Sequence, residues 1–164
     1  MLSANDVAKY FLRLDSNNSL FSANVITRNG RQFYDGNARL NKYLHLAQNL
    51  YIAKTGRPLM DAVFYAYDNG AVIPEIQERY MAIRSKKNEG DINISSDEKA
   101  FLDKVFLLLQ NASVDDLIEL SHEDAEWVDK QGHYYKEDER MDSMARAEEY
   151  KLQYADALTL MDRM

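Results

Sequence analysis

The first residues to weigh for chemistry are the three histidines, His45, His122 and His133. His122 is followed directly by Glu123 and Asp124. Three ligand types in a row could hold a divalent metal and activate water for hydrolysis. The spacing argues against it. Neighbours on a helix point about a hundred degrees apart, so the three do not meet at one ion without a turn. A histidine opposite the dipole at a helix C-terminus is the preferred account of His122. His45 lies between Leu44 and Leu46 and is expected to be a part-buried packing residue with one ring nitrogen satisfied.

Nucleophilic catalysis would need a serine, a histidine and an acid brought together. The G-x-S-x-G elbow, the P-loop and the G-x-G-x-x-G turn are all absent. Facing carboxylates for glycoside hydrolysis have no specificity as a signal, because residues 91–164 hold 19 Asp and Glu. There is no cysteine, so disulfides, thiolate metal sites and thiol nucleophiles are excluded. The chain therefore reads as a non-enzyme, with no cofactor and no metal.

Aromatic residues carry more information. Of the 11 tyrosines, Tyr34, Tyr65, Tyr67, Tyr134 and Tyr135 fall near turns. Tyrosine offers large contact area at low entropy cost, which suits interfaces, but it also borders small cores. The single tryptophan, Trp127, sits in a polar stretch. It either plugs the end of a helix or anchors a partner.

These residues must be positioned by helices. Ser3 with Asp6 can start the first, whose apolar face is Val7, Tyr10, Phe11 and Leu14. Val25-Ile26-Thr27 and Gln32-Phe33-Tyr34 around Asn29-Gly30 read as a short hairpin near residues 24–35, or as a loop with one helical turn. The second helix is expected from about Ala38 to Lys54, with a stripe wide enough to make it central. Gly56 and Pro58 end it. A third helix follows Pro74, and frays near Ser85. Ser95 with Glu98 opens a fourth, and Ser113 with Asp116 a short fifth. From Glu137 to Met164 a thin seam of Met141, Ala145, Leu152, Ala155 and Leu158 predicts one weakly amphipathic helix. It would pack on its own domain, on a second copy or on a partner, and serve partner choice rather than the core. A plain helix closing the bundle is the alternative. The fold class is thus mainly α: about six helices, a short hairpin and a C-terminal helix. The domain boundary falls at 132, with 133–164 as an extension.

The net charge of −7 is uneven. Residues 1–90 carry 12 Lys and Arg against 8 Asp and Glu; residues 91–164 carry 8 against 19. An acidic chain is a poor general ligand for phosphate backbones, so nucleic acid is not the expected partner. No export signal and no apolar run long enough for a membrane span are seen, which points to the cytoplasm.

Four stretches have a familiar order. Leu40-Asn41-Lys42-Tyr43-Leu44-His45-Leu46-Ala47-Gln48 resembles the helix L-Q-K-L-L-Y-F-A-Q of the SocA-like, or Panacea, antitoxin domain family, whose members were once called phage-associated proteins. Thr55-Gly56-Arg57-Pro58-Leu59 matches its T-G-R-P-L. Asn69-Gly70-Ala71-Val72-Ile73-Pro74-Glu75-Ile76 resembles Y-G-P-V-V-P-E-V, and Glu119 to His122 with Trp127 resembles L-[ST]-H-x-E-x-P-W. Two family prolines are replaced, by Ala71 and Glu126, which would loosen two turns. The resemblance implies a helical domain that neutralises a toxin by direct binding and, as an adaptor, can hand it to a protease. Motif or interface candidates are Arg57, Asn69, Gly70, Pro74, Glu75, His122 and Trp127. The alternative is a regulator of its own promoter, using Arg28, Arg31, Arg39, Lys86 and Lys87, although no helix-turn-helix is evident. A metal-dependent hydrolase at His122 is the remaining reading.

Overall fold

The computed structural model describes residues 1–164. Its architecture is mainly α, arranged around one long helix, α2 (Asp35–Thr55). Around α2 pack α1 (Ala4–Leu14), α5 (Ser96–Leu109), α6 (Val114–His122), α8 (Ala147–Gln153) and α9 (Ala155–Asp162). No helix is long and apolar enough to cross a membrane.

Local chemistry places the helix ends. Ser3 Oγ accepts the Asp6 N–H at 3.1 Å and starts α1. Ser95 with Glu98, and Ser113 with Asp116, form complete capping boxes that open α5 and α6. Gly56 ends α2 with φ +74, a left-handed conformation that costs glycine little. The helix that follows Pro74 breaks at Arg79 into α3 (Pro74–Glu78) and α4 (Tyr80–Ser85). Tyr80 at that break reaches back to donate to Ser22 O at 2.9 Å.

Three small strand pairs link the helices. β1 (Leu2–Ser3) lies parallel to β4 (Met60–Asp61). The hairpin of β2 (Val25–Arg28) and β3 (Arg31–Tyr34) turns through Asn29 and Gly30, both at positive φ. β5 (Tyr65–Tyr67) and β6 (Gly70–Val72) form a second hairpin, turning at Asp68 and Asn69.

The C-terminal segment departs from expectation in two ways. It is not one helix. Two 3₁₀ turns, Lys136–Glu139 and Ser143–Arg146, precede α8 and α9, which meet at Tyr154. Nor does it stand outside the core: Met141, Tyr150, Tyr154 and Met161 are buried in it. The seam read from the sequence missed the two tyrosines, and Leu152, assigned to it, is 85% exposed. The phase of that seam was set by Met141 and Ala145, which lie before α8 among the 3₁₀ turns, and it does not carry into α8 and α9, where Tyr150, Tyr154, Leu158 and Met161 share one face.

Candidate functional site

α2 is buried on every side, and its second face is polar. Asn41, Lys42, His45, Gln48 and Asn49 fall within about 120° of one another at a hundred degrees per residue. Each fastens a different segment. Asn41 Oδ1 accepts the Ile73 N–H at 3.0 Å, and Lys42 Nζ donates to Ala71 O at 2.7 Å. Gln48 Oε1 accepts the N–H groups of Leu59 and Met60, both at 2.9 Å. Buried backbone groups need partners, and these segments are too short to supply their own.

His45 and Asn49 meet the later part of the chain. His45 Nε2 lies 2.7 Å from Asp124 Oδ2, and Nδ1 lies 3.1 Å from Ser121 Oγ. A carboxylate only accepts, so Nε2 carries the proton and Nδ1 accepts from the serine hydroxyl. Ser121 Oγ also accepts the Ala71 N–H at 2.9 Å. Asp124 takes two further side-chain donors, Tyr150 OH at 2.7 Å and Asn49 Nδ2 at 2.9 Å. Its other acceptor duty is to cap α7 (Ala125–Lys130) through the Glu126 N–H at 2.9 Å. Burial alone would raise this carboxyl; the hydrogen bonds from His45, Tyr150 and Asn49 outweigh it and hold the pKa at about 2.

Ser121, His45 and Asp124 thus stand in the order of a hydrolytic triad. All three are fully buried. The Ser121 oxygen is already bonded to a backbone N–H, and the acid's acceptor sites are all taken. The arrangement can hold segments together; it offers no attacking oxygen to a substrate.

The sequence had His45 as part-buried with one nitrogen satisfied. It is fully buried with both nitrogens engaged, and the polar face of α2 around it went unread. The signal was present as five polar residues at helical spacing inside a helix whose apolar stripe is already wide. His122, Glu123 and Asp124 diverge. His122 Nε2 sits 3.1 Å from Asp68 O, Glu123 is exposed, and Asp124 points into the core, so a metal-centred hydrolase finds no common point here. Burial lowers the His122 pKa.

The remaining candidates frame the β5–β6 hairpin or lie apart from it. Trp127 donates from Nε1 to Tyr67 O at 2.9 Å, and its ring stacks on His122 at 3.9 Å. Gly70 has φ +102, and a Cβ there would strike the Lys42 side chain and come within 2.8 Å of Ser121 Oγ. Asn69 Oδ1 accepts from Asn29 Nδ2 at 3.3 Å, linking the two hairpins. Pro74 begins α3, and Glu75 beside it is exposed. Arg57 is exposed beyond α2, away from this group.

The replaced prolines do not loosen their turns. The Ala71 N–H bonds to Ser121 Oγ, and the Glu126 N–H bonds to Asp124 Oδ1. Proline has no N–H and could make neither bond. Glu126 does more: its buried carboxylate accepts from Arg146 Nε at 3.1 Å, Lys130 Nζ at 2.9 Å and the Asp142 N–H at 2.6 Å. It thereby ties the C-terminal segment down.

The basic residues weighed for promoter binding are largely spent within the fold. Arg28 pairs with Glu119 at 2.8 Å, and Arg39 donates to Ala112 O at 2.7 Å. Lys87 is buried and donates to Leu12 O and Asp15 O at the end of α1.

The model of the antitoxin SocA-like, Panacea domain family matches residues 40–128. Neither a curated protein nor a solved structure matches the chain. The match runs from within α2 through the β5–β6 hairpin to just past Trp127 and takes in His45, Asn49, Ser121 and Asp124, while Tyr150 lies beyond it. The chain belongs to the SocA-like, Panacea domain family of antitoxins.

Proposed function

We propose that this protein is an antitoxin that works by binding, not by catalysis, and neutralises a toxin in the cytoplasm by direct contact. The observation that carries this reading is the family match over residues 40–128. The buried state of the Ser121–His45–Asp124 set supports it, because those groups serve as a scaffold. Outside the match stand the β2–β3 hairpin and the exposed residues 133–138, surface that the scaffold does not use. Such an arrangement suits a domain that meets different toxins. Delivery of the bound toxin to a protease is a natural extension of the same role.

The test is co-expression with the protein encoded by the neighbouring reading frame. That protein should arrest growth alone, and this chain should relieve the arrest and co-purify with it in a stoichiometric complex. A harmless neighbour refutes the reading. Relief by trace amounts without a complex refutes the binding mechanism and points to catalysis.

A further inference from the structure

An open cleft of about 640 Å³ lies beside the first half of α2, between the β2–β3 hairpin, the β5–β6 turn and residues 134–139. Its two acids are engaged. Asp68 faces Arg31 at 3.5 Å, and Glu139 accepts the Gly132 N–H at 3.1 Å. Lys42 lines the cleft from beneath at 1% exposure. Its ammonium has one protein acceptor, Ala71 O, so two of its three N–H groups have none. Burial pushes that ammonium down to about 7, with no carboxylate opposing the effect. A buried charge without a counter-ion is costly, and the single bond to Ala71 O offsets only part of that cost. A buried ammonium with unmet N–H groups in a cleft is a candidate functional group.

We propose that this cleft receives a carboxylate side chain of a bound protein partner, seated against Lys42 and covered by Tyr134. The proposal rests on the antitoxin reading above and names the chemistry of the contact. The two unmet N–H groups of the Lys42 ammonium suit the two oxygens of a carboxylate. A phosphate is usually met by a free guanidinium fork, whereas Arg31 is held on Asp68. Tyr134 at the mouth is 93% exposed, an aromatic of the kind that anchors protein interfaces. Lys136 beside it, over the Tyr65 ring at 5.2 Å, adds positive charge at the rim.

The full chain labelled with ¹⁵N-lysine provides the first test. The Lys42 ammonium signal is assigned by its loss in Lys42→Met, and a blocked Gly-Glu-Gly tripeptide is titrated in. A saturable shift is expected, with none from Gly-Gln-Gly. An equal response to the glutamine peptide, or a response to inorganic phosphate alone, overturns the carboxylate assignment. The second test uses the neighbouring-frame protein. Lys42→Met, which gives up the bond to Ala71 O together with the charge, should keep a cooperative fold yet bind at least about tenfold more weakly. Tyr134→Ala, fully on the surface, should weaken binding to a similar degree with no change in melting. If both variants bind as the wild type does, the cleft proposal falls and the antitoxin reading stands. If the glutamate peptide shifts Lys42 but no neighbouring protein binds, the protein partner is overturned together with the antitoxin reading.

Discussion

Replacing Asp124 by Asn keeps the shape of the side chain and removes its charge from the centre of the network. Each carboxylate oxygen accepts two hydrogen bonds: Oδ2 from His45 and Asn49, Oδ1 from Tyr150 and the Glu126 N–H. An amide has one acceptor oxygen. Turned one way its NH₂ group meets Asn49 Nδ2, turned the other way the Glu126 N–H, and that donor loses its acceptor even where the His45 tautomer or the Tyr150 hydroxyl adjusts. A buried donor left unsatisfied costs roughly 1–3 kcal/mol, so Asp124→Asn should lose about that much. That is a large share of the roughly 5–15 kcal/mol that holds a domain together. Acid provides an independent check. The folded pKa of about 2 lies below the ordinary value of 3.8. Its contribution is therefore complete above pH 4 and is lost as pH falls from about 4 towards 2, amounting to roughly 2.5 kcal/mol. Urea unfolding read by Trp127 fluorescence measures both effects. A variant within about 1 kcal/mol of the wild type at pH 7 would refute the reasoning, since one unmet buried donor already costs that much. So would equal losses in variant and wild type between pH 4 and 2.

Gly36→Ala should fail to fold or lose several kcal/mol, of the order of about 3, because a Cβ would collide with the Tyr80 hydroxyl and the Ser22 backbone; a normal melting curve would show that α4 can retreat. Gly70→Val should cost roughly 1–3 kcal/mol through its positive φ and its contact with Lys42 and Ser121, read as a lower urea midpoint. Trp127→Ala removes the ring stacked on His122 and the bond to Tyr67 O, and should cost about 2–4 kcal/mol by thermal melting; unchanged melting with lost partner capture would make Trp127 a contact residue instead. Truncation after Gln131 strips Tyr150, Tyr154 and Met161 from the core and should yield an aggregating chain, whereas a soluble cooperative fold would mean that residues 1–131 suffice.

Local signals were enough for what local energetics decide. Ser3, Ser95 and Ser113 start their helices, Gly56 ends α2, and Asn29-Gly30 turns the first hairpin, because each is a bond or a backbone angle settled within a few residues. The mainly α class and the centrality of α2 followed from hydrophobic period and width. The joining of His45 to Ser121 and Asp124 is of another kind, since it spans 76 and 79 residues of chain. No spacing rule encodes such a meeting; it exists because α6 and the turn that follows it pack across the polar face of α2. The same holds for Lys42, whose missing counter-ion is visible only once every neighbour is in place. The C-terminal segment shows the converse error. Its residues had helical period, but the 3₁₀ turns before α8 break the phase carried from Met141 and Ala145, and packing selected Tyr150 and Tyr154 over Leu152. Propensity could form the helices there, while burial against α2 determined which face they show.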